Sequence, residues 1–154
     1  MTFTLFKFLH IAFMFSAVAM TVIPEVVLHF VANTRDTRTI STMSHLAERI
    51  GKVVPVFFVG GAIFGLLAAW TGEMDFTAPW LIVTYVLFVT AIVIGFLFTD
   101  PWVARLKKAA AASGDATSAE LETVIVESKA KIASASLMLI TLVIIALMVF
   151  KPGA

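Results

Sequence analysis

Four stretches of the chain run apolar for close to the length of a membrane crossing, and polar positions gather between them. They fall at about 5–31, 53–71, 79–99 and 131–150. The last three carry no charge in their central runs, and the first is interrupted by Lys7, His10, Glu25 and His29. A helix needs about 20 residues to cross the hydrocarbon layer. Soluble amphipathic helices keep a polar face, which these runs lack. The strands of a membrane barrel would alternate over about 10 residues. A helix also pairs every backbone polar group within itself, as hydrocarbon demands. The pattern predicts an all-α protein, an antiparallel bundle of four transmembrane helices forming one membrane domain over 1–154. Its longer connections are 32–52 and 100–130. The first run has no clear basic leader and is too long for a signal peptide, so it is read as a retained helix.

The connections have structure of their own. Ile40, Met43, Ala47 and Ile50 recur at helical spacing, with Glu48 and Arg49 off that stripe, which predicts an interfacial lead-in to the second span. Thr71 to Pro79 is a short acidic link, and Pro79 suits the first turn of the third helix. Asp100-Pro101-Trp102 is read as the end of that span, with a short basic helix over 105–112 and a turn at Ser113-Gly114-Asp115. Thr117-x-x-Glu120 fits a capping box, so the fourth helix is expected to start in water near Ser118 and enter the membrane after Lys131. Pro24 and Pro55 predict kinks in the first and second spans.

Composition narrows the classes. Hydrophobic residues make up 60% of the 154 and charged residues 14%, with a mean hydropathy of +1.02. An ordinary soluble domain is about 25% charged. That shift excludes a soluble enzyme domain, a disordered chain and a nucleic-acid binder, and the net charge of +1 attracts no polyanion. There is no cysteine, hence no disulfide or thiolate chemistry. Arg35, Arg38, Arg49, Lys52, Arg105, Lys107, Lys108 and Lys129 fall in the two longer connections and Lys131 at the edge of the second, leaving Lys7 and Lys151 opposite. Basic connections stay cytoplasmic, so both termini are expected on the non-cytoplasmic side of a bacterial inner membrane. Trp70 and Trp80 would mark the outer interface and Trp102 the inner one.

Ionisable groups inside a span are functional candidates. His10 and Met14 are four apart on one helix face. An imidazole beside a thioether suits copper(I), a lone membrane histidine can ligate haem iron, and His10 can equally rest on water or a neighbouring carbonyl. Glu25 and His29 form a second pair, read as an intramembrane structural pair or as a proton-relay or ligand site. Arg49 and Lys52 are further candidate partners for Glu25. His29 with His45 is a third arrangement, as a haem or metal clamp at the inner surface. Gly61-x-x-x-Gly65 marks close helix approach, within the bundle or at a homodimer face. No phosphate loop, His-Glu-x-x-His pair or nucleophile elbow is present, and no residue is assigned a catalytic role.

Lys7-Phe8-Leu9-His10-Ile11-Ala12 places a Leu-His pair near the start of the first span. The chain thereby resembles the uncharacterised integral membrane family DUF2269 and, more distantly, the membrane domain of copper-resistance D proteins. The first resemblance implies a four-helix membrane protein with no established activity. The second implies copper or haem work, with His10 as the residue carried over. Phe13-Met14-Phe15-Ser16-Ala17 stands where a Trp and a Gly pair are expected. The function expected is that of a non-enzymatic small subunit or partner in the lipid bilayer, as a homodimer or in a larger complex. The alternative is a haem b- or copper-handling protein using His10, with Met14 or His29 second.

Overall fold

The computed structural model describes residues 1–114 and 116–152. Its described residues contain seven α-helices and no strand: α1 (Thr2–Thr34), α2 (Thr37–Gly51), α3 (Val54–Thr71), α4 (Pro79–Ile94), α5 (Asp100–Ala112), α6 (Ala119–Ile125) and α7 (Ser128–Phe150). They join end to end into four long, apolar helical paths, Thr2–Thr34, Thr37–Thr71, Pro79–Ala112 and Ala119–Phe150. Each path of 32–35 residues measures about 50 Å at 1.5 Å per residue, against a hydrocarbon layer of about 30 Å. The surplus lies at one end, where the last turns of α1 and helices α2, α5 and α6 form a cap. The turn expected at Asp115 falls outside the described residues.

Within the membrane the spans pair in sequence order, the first with the second and the third with the fourth. α1 lies along α3, and α4 lies along α7. Consecutive helices α3 and α4 touch much less, through Phe58 and Phe88, whose rings meet edge to face at 5.8 Å. The continuous apolar core sits in the cap, where Leu28, Ile40, Trp102, Leu106 and Leu121 are almost wholly buried and Met43 and Ala47 pack against them. The lead-in stripe of α2 therefore faces protein, against α1 and α5. In contrast α4 presents Ile82, Val83, Val86, Val89 and Val93 outward, as a lipid-facing helix does. A smaller cluster of Ala78, Trp80 and Leu81 closes the other end against Leu147 and Met148.

Several local expectations shift. Pro55 lies in the first turn of α3, where its missing N–H breaks no helical bond, so the second span keeps its ladder. The third helical path does not break at Asp100. A π-helical turn, Gly95–Thr99, carries it into α5, with the Asp100 N–H reaching back to Gly95 O. One extra residue in that turn absorbs the bond that Pro101 cannot donate. The cap of α6 is Ser118, whose Oγ accepts from Leu121 N, while the Thr117 hydroxyl donates to Arg35 O. Arg35 itself ends α1 in the left-handed region at φ 60°, a position that favours glycine. A two-pronged pair with Glu122, at 3.0 and 2.7 Å, helps hold it there.

The tryptophans divide. Trp70 is exposed. Trp102 is only 1% exposed and donates from Nε1 to Val124 O at 3.1 Å, so it is a core residue of the cap and not an interface marker. Trp80 is buried too, with the Lys151 ammonium 5.6 Å from its ring centre.

Candidate functional site

The polar side chains of the spans gather in two places. The first lies between α1 and α3. Gly60, Gly61, Gly65 and Gly72 line the α3 side, and each receives one α1 side chain: Phe13, Met14, His10 and Phe3 in turn. A methyl at Gly65 would stand 2.7 Å from His10 Nδ1, so the ring occupies the space that a side chain would fill. His10 Nδ1 lies 2.7 Å from Gly61 O. A carbonyl only accepts, so Nδ1 carries a proton and donates to it. Met14 packs on Gly61 with its sulfur 3.0 Å from a methyl placed there. The two candidate ligands His10 and Met14 thus come together over the glycine pair. That face is filled from within the chain, by α1.

The second place joins α1 to α7 at the level where the spans enter the cap. Glu25 and Ser134 are buried, and His29 is half-buried. Ser134 Oγ lies 2.5 Å from Glu25 Oε1, 3.0 Å from His29 Nε2 and 2.9 Å from Ala130 O. The hydroxyl has one proton to donate, to the carboxylate or to the carbonyl, and accepts from His29 Nε2–H. The imidazole stacks on Trp102 with ring centres 4.5 Å apart, and Trp102 is fixed by its bond to Val124 O. One chain of contacts therefore runs from α1 through α7 and α5 to α6.

Its order is not that of a hydrolase triad. There the imidazole stands between hydroxyl and carboxylate, taking the hydroxyl proton while the acid orients the far ring nitrogen. Here the hydroxyl stands between the other two. The arrangement can tie helices together and can hold or pass a proton; it does not build an activated nucleophile.

Glu25 thus pairs with Ser134, a partner its own sequence neighbourhood does not suggest. The reading that Ser134 bonds to a carbonyl or a neighbouring helix covers all three of its contacts without identifying Glu25. The alternative partners Arg49 and Lys52 sit exposed on and after α2, where Lys52 Nζ lies 3.4 Å from Glu48. His45 is exposed on α2 and shares no hydrogen bond with His29. Among the described residues no three His, Cys, Asp or Glu side chains stand close enough to hold a metal ion together.

The model of a family described as a predicted integral membrane protein, DUF2269, matches residues 4–152. No curated protein and no solved structure matches the chain.

Proposed function

We propose, for a chain that belongs to the DUF2269 family of predicted integral membrane proteins, a role as a non-enzymatic subunit that assembles with a partner or with a second copy of itself. The observation that carries this reading is the placement of Ser134 between Glu25 and His29. His10, Glu25, His29 and Ser134 are spent on contacts between helices, and the outward faces of α4 and α7 are left largely apolar. The nine cations in and beside the two longer connections support an orientation in a bacterial inner membrane with both termini away from the cytoplasm. The test is purification of the full chain from its native membranes in mild detergent. A stoichiometric partner, or a dimer crosslinked through residues on α4, is the expected result. Recovery as a lone monomer carrying one haem refutes the reading.

A second reading rests on His10. A ring whose Nδ1–H is fixed on a carbonyl offers Nε2 as a ligand in a set orientation, which is how protein-bound histidines are prepared for haem iron or copper. Met14 would be the soft second ligand for copper(I). A Soret band or one copper per chain that disappears in His10→Ala supports this reading, and a colourless, copper-free preparation of the intact protein removes it.

A further inference from the structure

A cavity of about 200 Å³ opens at the cap end of the spans, where the π-helical turn and α5 meet the start of α7. That is several times the roughly 30 Å³ share of one water molecule. Its lining changes character along its depth. Leu97 and Phe98, 55% and 43% exposed, form the side that continues down the lipid-facing surface of the third span. Arg105, Glu127 and Lys129 form the other side. Arg105 and Glu127 pair at 2.6 Å through one of the five N–H donors of the guanidinium, so donors remain. Lys129 is exposed and has no carboxylate within ion-pair distance among the described residues. Two cations against one anion leave the polar side net positive.

We propose that this cavity seats the phosphate of an anionic phospholipid, with Lys129 and Arg105 on the headgroup and Leu97 and Phe98 along its acyl chains. A membrane supplies amphiphiles at this depth, and the cavity is apolar toward the bilayer and cationic toward the water. Basic pockets between helices at this level are the form that headgroup recognition takes in membrane proteins. A zwitterionic lipid would bring its own ammonium against Lys129 and Arg105, so the net charge selects phosphatidylglycerol over phosphatidylcholine.

The full chain in neutral detergent, titrated with phosphatidylglycerol and with phosphatidylcholine of identical chains, gives the test by native mass spectrometry. One phosphatidylglycerol is retained in preference, and Lys129→Gln lowers that retention about fivefold, the worth of one cation near a charged headgroup. Phosphatidylcholine retention stays unchanged, as does phosphatidylglycerol retention in Lys108→Gln, an exposed cation of α5 outside the cavity. A lipid-free melting temperature for Lys129→Gln equal to that of the parent shows that the fold is intact. Lys129→Gln is chosen because Arg105→Gln would also break the Glu127 pair. Equal retention of the two lipids, an equal loss in Lys108→Gln, or displacement of the lipid by inorganic phosphate alone each overturns the assignment.

Discussion

Replacing Gly65 by alanine puts a methyl 2.7 Å from His10 Nδ1 and 2.9 Å from Cε1. The ring and the backbone cannot both stay where they are. The ring is not a loose chain end, because Nδ1 is held 2.7 Å from Gly61 O. Overpacking of this kind costs about 1–3 kcal/mol. Losing an interhelical bond in a membrane adds about 0.6 kcal/mol. The better helix propensity of alanine returns up to about 1 kcal/mol. The net expectation is a loss of about 0.6–3.6 kcal/mol. Denaturation of the detergent-solubilised protein by sodium dodecyl sulfate, followed by tryptophan fluorescence, reads it. The decisive arm is a double-mutant cycle. In a His10→Ala background the methyl has room, so Gly65→Ala becomes neutral or stabilising. Gly51→Ala is the control for propensity alone, since a methyl there meets nothing within 4 Å. An identical cost for Gly65→Ala in both backgrounds would show that His10 does not fill that space, and the α1–α3 packing described above would be wrong.

Other substitutions probe the remaining contacts. Ser134→Ala leaves Glu25 buried without its hydroxyl partner and is expected to cost about 1–3 kcal/mol in the same denaturation assay, a loss that Ser134→Thr largely spares. Trp102→Phe keeps a ring on His29 but takes the indole donor from the Val124 carbonyl, which keeps the Glu127 N–H at 3.4 Å, for about 0.5–1.5 kcal/mol; an unchanged melting temperature would contradict the bond. Ser44→Ala should raise stability by about 1 kcal/mol, because the wholly buried Ser44 hydroxyl has no hydrogen-bond partner among the described residues. Asp36, at the start of α2, is held below its ordinary 3.8 by hydrogen bonds, first from the Thr39 hydroxyl and also from the Arg38 and Thr39 backbone N–H groups. A depressed carboxylate stabilises the fold above its unfolded value and stops doing so as pH falls through the folded one. The Asp36 contribution is therefore lost in acid below about pH 3.8, and Asp36→Asn removes that part of an acid titration followed by circular dichroism.

The number of candidate spans was legible because lipid rewards unbroken apolarity, and nothing else in the chain imitates it. Which span lies against which was not. A helix apolar on every side carries no stripe to say where it faces, and the pairing of α4 with α7 leaves no periodic mark. The glycines of α3 were the exception, since a missing side chain in a span signals close approach. Periodicity did identify the packed positions of α2, where Ile40, Met43 and Ala47 meet the core. Trp102 misled because the aromatic belt is a rule about lipid boundaries, and here the helix runs on past the boundary into protein. Glu25 and Ser134 are 109 residues apart, and only the fold joins them.

The pairing of the first span with the second and of the third with the fourth sets a timetable for synthesis. α1 can dock on α3 as soon as residue 71 has left the translocon, while the ribosome is still making the rest. α4 enters the bilayer with little to lean on, because its companion α7 begins at Ser128. For the time needed to translate some 30 further residues, the third span must stay in place by hydropathy alone. Its unbroken apolar run is what allows it to wait.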